Sequence, residues 1–76
     1  MTITREQCRA ARGLLDWSQP DLAEASGLSR ETIANLERGA RVPHPRNLAA
    51  IKAALEAAGV EFIDANGGGP GVRLRR

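Results

Sequence analysis

The sequence predicts a mainly α fold, in which a four-helix bundle is followed by a C-terminal β-hairpin. Apolar residues make up 42% of the 76 residues, with one Phe, one Trp and no Tyr, and this composition favours a small helical core over a β-sandwich. Near the C-terminus, the short β-prone runs VEFID and VRLR flank the glycine-rich stretch ANGGGPG, a pattern typical of a hairpin. The length predicts one domain, with residues 1–59 as the bundle and residues 60–76 as a hairpin of the same domain.

The first helix is expected at about residues 5–15. Thr4 and Gln7 have the spacing of a capping box, and Ile3 stands where a hydrophobic staple can meet Cys8. Apolar residues then recur at helical spacing and give the helix one inward face.

Two short helices are expected next, joined by a tight turn at Gly27. Ser18 is followed three residues later by Asp21, which predicts a second capping box, and Ser29 can cap the helix after the turn. Ala23 is small enough for the two helices to cross closely, and Gly27 can take the left-handed backbone conformation of the turn.

A fourth helix is expected at about residues 46–58, after Gly39 ends the third helix and Pro43 and Pro45 redirect the chain. Gly59 supplies its C-terminal stop. One apolar stripe marks its buried face: Leu48, Ile51, Leu55 and Ala58.

The hairpin is expected to cover the bundle with one face and to leave Ile63 and Arg73 on the other. Because an isolated hairpin is marginal in water and has two unpaired edges, a homodimer joined through the strand edges is our hypothesis. The alternatives are that the hairpin only covers the bundle, or that the fourth helix forms the interface. The candidate dimer interface consists of Phe62, Ile63, Val72 and Leu74.

The segment of residues 12–39 resembles the Xre/Cro/cI-type helix-turn-helix of phage repressors and bacterial transcriptional regulators. With its flanking helices the resemblance covers residues 4–59 and implies a lambda-repressor-like bundle; Ser26 departs from it, since the family usually has an apolar residue there. The matching residues are Gln19, Ala23, Gly27, Ile33, Leu36 and the run Leu-Glu-Arg-Gly that ends at Gly39.

This resemblance implies that the helix at about residues 30–38 reads the major groove of DNA. A guanidinium such as that of Arg30 can bond O6 and N7 of guanine together, although a solvated surface arginine is the alternative interpretation. Glu31 can accept from cytosine or simply complement the helix dipole. The base-contacting candidates are Arg30, Glu31, Thr32 and Asn35.

Gln19 resembles the family's phosphate-clamping glutamine at the start of the first motif helix. The net charge is only +2, yet arginines concentrate around the second motif helix and the loop after it, where a phosphate contact needs them. In the family, the positions of Arg12 and Glu37 commonly form a structural ion pair. The phosphate-contacting candidates are Gln19, Ser29, Arg38, Arg41 and Arg46.

Several classes of function find no support in the sequence. The lone Cys8 excludes an internal disulfide, and together with the absence of a signal-peptide pattern or a long apolar run it predicts a cytoplasmic protein without membrane contact. We expect no cofactor and no metal site, because Cys8 and His44 lack the partners of a ligand set. We expect no catalytic activity either, because no nucleophile–base pair or carboxylate dyad is present.

The sequence therefore predicts a regulator that binds double-stranded DNA at specific sites, acting as a small repressor-type homodimer. One alternative is an antitoxin of a toxin–antitoxin pair, whose protein partner would be a toxin. Another is a protein-interaction module with the same fold.

Overall fold

The computed structural model of the chain describes residues 2–40 and 43–75. Within these ranges four helices and two antiparallel strands follow one another, so the predicted fold class is confirmed. The elements are α1 (Arg5–Leu15), α2 (Gln19–Ser26), α3 (Arg30–Arg38), α4 (Pro45–Ala57), β1 (Val60–Ile63) and β2 (Gly71–Leu74).

Side-chain caps fix where the first three helices begin. The backbone N–H of Gln7 donates to Oγ1 of Thr4 at 3.0 Å, and the N–H of Thr4 donates to Oε1 of Gln7 at 2.9 Å. Ser18 and Asp21 exchange the same two bonds at the start of α2, and Ser29 caps α3 with its hydroxyl. Each cap satisfies backbone donors that lack a partner within the helix. Both predicted capping boxes are confirmed.

Left-handed residues end the same helices. Gly27, with φ of 75°, makes the turn between α2 and α3, and Gly39, with φ of 70°, ends α3. Asp16 ends α1 with φ of 57°, which the sequence did not predict. Aspartate is one of the few residues besides glycine that enter this region with moderate strain.

The fourth helix begins at Pro45, one residue before the predicted start, because Nδ1 of His44 accepts the backbone N–H of Arg46 at 3.1 Å and acts as the cap. It ends at Ala57, and the left-handed turn follows at Gly59. Two members of its predicted apolar stripe, Ile51 and Leu55, are fully buried.

All four helices and β1 contribute to one core. Helix α2 packs against both α3 and α4, and α1 packs against α3 and α4, so the two motif helices rest on the other two. The largest fully buried side chains are Leu22, Ile33, Ile51, Leu55, Val60 and Cys8.

The hairpin covers the bundle with the face that the sequence indicated. Val60 pairs with Leu74 and Phe62 with Val72, and these four side chains join or pack against the core. On the outer face, Arg73 pairs with Glu61 through hydrogen bonds of 3.1 Å. Ile63 also lies on the outer face and is 38% exposed.

Gln7 ties the hairpin to α1. Its Nε2 donates to the carbonyl oxygens of Ile63, at 3.3 Å, and Gly71, at 3.0 Å. These two residues face each other at the loop end of the hairpin. Since Oε1 of Gln7 is occupied in the α1 cap, one buried side chain holds both the start of the first helix and the end of the sheet.

Candidate nucleic-acid interface

Helix α3 has one buried and one outward face. Ile33 and Leu36 are buried against the bundle, whereas Arg30, Glu31 and Arg38 are exposed. Arg30 and Glu31 are adjacent, and Arg38 follows Glu31 by seven residues, or about two turns, so the three residues lie along one side of the helix. The outward face therefore carries charged groups that can reach a partner without disturbing the core.

The four candidate base contacts do not lie in equivalent surroundings. Arg30 and Glu31 form no hydrogen bond to another side chain among the described residues, so their polar groups are open to a ligand. Thr32 is half-buried, and its hydroxyl bonds Oγ of Ser29 at 2.8 Å. Asn35 is half-buried and accepts a hydrogen bond from the guanidinium of Arg38. Arg30 and Glu31 are thus the two most accessible members of the set.

The start of α2 lies beside the start of α3. Gln19 and Pro20 line a shallow groove together with Arg30, Glu31 and Ala34. The fold therefore brings a candidate phosphate contact, Gln19, next to two candidate base contacts that are more than ten residues away in the chain.

Gln19 is held in place by Glu37. Its Nε2 donates to Oε1 of Glu37 at 3.0 Å. In the first turn of α2, Pro20 has no N–H, and the N–H of Asp21 is bonded to Ser18. Of the backbone donors in this first turn, the N–H of Gln19 remains open. The start of α2 therefore offers an anion fewer N–H groups than the several that the start of a helix can offer.

Glu37 is the centre of a buried polar network. Arg12 donates to it through Nε, at 2.7 Å, and through Nη2, at 2.6 Å, in a two-pronged ion pair. The thiol of Cys8 also donates to it, at 3.3 Å. The Arg12 side chain is 18% exposed and that of Glu37 only 3%, so water screens this pair weakly. A third bond, from Nη1 of Arg12 to the carbonyl of Trp17, fixes the guanidinium further.

The network shifts the pKa of its members in opposite directions. Burial works to raise the pKa of Glu37, but hydrogen bonds from Arg12, Gln19 and Cys8 and the charge of Arg12 outweigh it, so the pKa lies below its ordinary value. For Cys8, burial acts with the hydrogen bond and the charge of Glu37, and the pKa rises to about 12. Cys8 is therefore a neutral thiol at physiological pH, and the carboxylate of Glu37 is ionised.

The remaining phosphate candidates in the described part of the chain lie at the start of α3, at its end and in the first turn of α4. Ser29 uses its hydroxyl as the α3 cap, whereas Arg38 and Arg46 are exposed on either side of the connection from α3 to α4. Arg41 lies outside the described residues. The candidates thus form two groups, one at the start of α2 and α3 and one at the end of α3.

Arg5 is a basic residue of this region that the sequence analysis did not identify. Its Nη1 donates to the carbonyl oxygen of Arg38 at 2.9 Å, although the two residues are 33 positions apart. No local spacing signals such a contact, because it depends on how α1 packs against the end of α3.

In the described part of the chain, no group of three or more His, Cys, Asp or Glu side chains can hold a metal ion. No helix there has the length and apolar character needed to cross a membrane.

Comparisons with known proteins agree with this geometry. A sequence profile of the family described as Helix-turn-helix matches residues 9–61. Similar proteins include uncharacterized HTH-type transcriptional regulators of Mycobacterium bovis and of two strains of Mycobacterium tuberculosis, each 45% identical over 47 residues. The match covers 62% of this chain and 18% of each relative, so the chain corresponds to a small part of their length.

Proposed function

Since the chain belongs to the helix-turn-helix family of DNA-binding transcriptional regulators, we propose that it binds specific sites in double-stranded DNA as a homodimer and represses transcription by occupying them. The observation that carries this proposal is the outward face of α3. The exposed guanidinium of Arg30 and carboxylate of Glu31 lie beside the start of α2, while the apolar face of α3 packs into the core. The proposal places the protein inside the cell, with DNA.

Base recognition is assigned to the first turns of α3. Arg30 can donate two hydrogen bonds to O6 and N7 of guanine, and Glu31 can accept from the amino group of cytosine. Asn35 is one turn further along and reaches a neighbouring base or the backbone, while Thr32 lies nearer the core. The N-terminal residues of a recognition helix are the ones that enter the major groove in helix-turn-helix proteins.

Backbone contacts are assigned to both ends of the motif. At one end, the open backbone N–H of Gln19 and the remaining N–H of its amide can bind one phosphate. At the other, Arg38 and Arg46 supply positive charge next to the connection that contains Arg41. Such contacts fix the position of α3 on the duplex but carry no sequence information.

The dimer is assigned to the hairpin. The N–H of Arg75 donates to the carbonyl of Gly59 at 2.7 Å. In the alternating antiparallel pattern, residues 60, 62, 72 and 74 then point their N–H and C=O groups away from the partner strand. Because Val60 on β1 is fully buried, the edge of β2 at residues 72 and 74 is the candidate for pairing with a further strand, and the exposed Ile63 adds apolar surface on the outer face.

The size of the molecule supports this assembly. It measures 32 × 25 × 18 Å, so two copies that meet end to end along the longest axis would have centres about 32 Å apart. This separation is of the order of the ~34 Å between successive major grooves on one side of DNA. A toxin or another protein strand on the same edge is the alternative occupant.

Selection from a pool of random duplexes tests the proposal directly. We expect enrichment of a palindromic sequence whose half-sites are about one helical turn apart. The double variant R30A/N35A should lose the enrichment, whereas R75A, which also removes an exposed arginine but lies on the hairpin, should retain it. No enrichment by the parent protein contradicts sequence-specific binding, and a consensus with a single half-site contradicts the dimer.

A further inference from the structure

Arg5 reaches the end of the recognition helix from a different element. Its Nη1 bonds the carbonyl oxygen of Arg38, the last residue of α3, and its Nε bonds Oε2 of Glu6 at 3.1 Å. These bonds orient the guanidinium and leave its Nη2 group without a partner among the described residues. The side chain is 47% exposed, so that group is accessible.

The guanidinium of Arg5 lies very close to Gly39. A Cβ at residue 39 would overlap the Nη1 and Cζ atoms of Arg5. The guanidinium therefore lies directly against the turn that leads from α3 toward α4. Gly39 and Pro43, on either side of residues 41 and 42, line the same groove as Arg5.

At the C-terminal end of α3 an anion is favoured only by the basic side chains around it. The last carbonyls of a helix carry the negative end of its dipole, which repels phosphate. Arg38 and Arg46 are exposed on either side of the connection from α3 to α4, and Arg5 adds a guanidinium that is bonded to the carbonyl of Arg38 itself. Glu6 offsets part of this charge from the edge of the guanidinium that carries Nε and one N–H of Nη2, so the other N–H of Nη2 points away from Glu6.

We propose that Arg5 binds a DNA phosphate: anchored on the carbonyl of Arg38, its guanidinium supplies a backbone contact from α1 beside the end of the recognition helix. This inference rests on the proposed function. It gives α1 a direct part in binding the duplex, although none of the DNA contacts predicted from the sequence lies on this helix.

The salt dependence of binding tests this contact, using the selected duplex and a random duplex of equal length. Each phosphate contact contributes about 0.9 to the slope of log K against log salt. We expect R5Q to lower the slope by about that amount on both duplexes, so that the parent loses about 3.5-fold more affinity than R5Q between 50 and 200 mM salt. R5K, which retains the charge, should restore the slope. R9Q, which removes an exposed arginine one turn further along α1, should leave it unchanged.

Thermal unfolding shows whether each variant is folded at the assay temperature, and R5M repeats the measurement with the apolar stem retained. A slope for R5Q and R5M equal to that of the parent overturns the inference, even if their affinity falls, because Arg5 would then act only through the position of α3. Equal effects of R5Q and R9Q overturn it as well, since they indicate a general charge effect. If the parent does not bind duplex DNA, the proposed function fails instead.

Discussion

Glu37 shows how a single buried carboxylate can join three helices. It lies on α3 and accepts hydrogen bonds from Arg12 and Cys8 of α1 and from Gln19 of α2. Removing one partner of such a pair leaves a buried charge uncompensated and typically costs about 3–5 kcal/mol. The same bonds orient Gln19, so this network connects stability with the candidate phosphate contact.

The lowered pKa of Glu37 makes stability depend on pH. Its contribution is fully present above the ordinary glutamate pKa of about 4.3 and is lost as the pH falls through the lower pKa of the folded state. We therefore expect the thermal midpoint of the parent to fall below about pH 4.5. E37Q should melt at a lower temperature at pH 7 and change less between pH 7 and pH 3.

Glu61 provides the matched control for this measurement. Its pKa is also lowered, by the hydrogen bond and charge of Arg73, but the carboxylate is exposed on the outer face of the hairpin. Solvent screens such a pair, so E61Q should keep most of the pH dependence of the parent. If E37Q and E61Q change the pH profile equally, Glu37 is not the group that dominates it.

Arg30 is the residue on which sequence recognition depends most in our proposal. R30A should weaken binding to the selected duplex by about 1–3 kcal/mol more than binding to random DNA and relax the preference at one base pair. Competition binding with both duplexes measures this difference. An equal loss on both would instead identify Arg30 as a phosphate contact.

At the scale of the elements, the side-chain amide of Gln7 links the hairpin to α1. Gln7 is 2% exposed and donates to two carbonyls of the hairpin while it caps its own helix. Glutamate at this position could still accept the N–H of Thr4, as in a capping box, but could not donate when ionised. The two roles of Gln7 can therefore be separated by substitution.

We expect Q7E to lower the free energy of unfolding by about 1–3 kcal/mol and to speed hydrogen exchange of the amides of Ile63 and Gly71. T4A removes the cap but leaves the donors, so it should cost about 1 kcal/mol and leave exchange in the hairpin slow. Chemical unfolding and hydrogen exchange measure the two effects. Slow exchange in Q7E would mean that core packing alone holds the hairpin.

The four helices, and the starts of the first three, could be predicted because local signals determine them. Thr4, Ser18 and Ser29 bond donors only a few residues away, and Gly27 and Gly39 end helices by their own backbone freedom. The charged outer face of α3 followed from the same local periodicity, together with the family resemblance.

Most of the features that could not be predicted from the sequence depend on packing between distant segments. The bonds from Gln7 to the hairpin and from Arg5 to α3 span 33 to 64 positions, and no spacing rule indicates them. Asp16 was missed for a different reason, since left-handed aspartate is uncommon and has no local signature here.

At the scale of the whole molecule, the outer surface contains two exposed large apolar side chains among the described residues, Leu14 at 41% and Ile63 at 38%. Leu14 lies on α1, whereas Ile63 lies on the outer face of the hairpin. The two side chains provide a matched pair for locating a dimer interface, because their exposure is nearly equal.

If the hairpin joins two copies, I63K should sediment as a monomer and lose affinity for a two-half-site duplex more than for a single half-site. L14K should remain a dimer. Because Ile63 and Leu14 are both exposed, neither variant should change the free energy of unfolding of the monomer by more than about 1 kcal/mol. A dimer that survives I63K but not L14K would place the interface on α1, and one that survives both would favour α4.

The contact of β2 with α1 also affects how the chain folds. The helix-turn-helix is built from contacts between near neighbours, which form quickly, whereas docking β2 on α1 closes a loop of more than fifty residues. The hairpin should therefore dock after the helices have met, and substitutions there should mainly speed unfolding. Since Val60 of β1 is fully buried in the core and Phe62, Val72 and Leu74 pack against it, release of the hairpin would uncover apolar surface of the helical bundle.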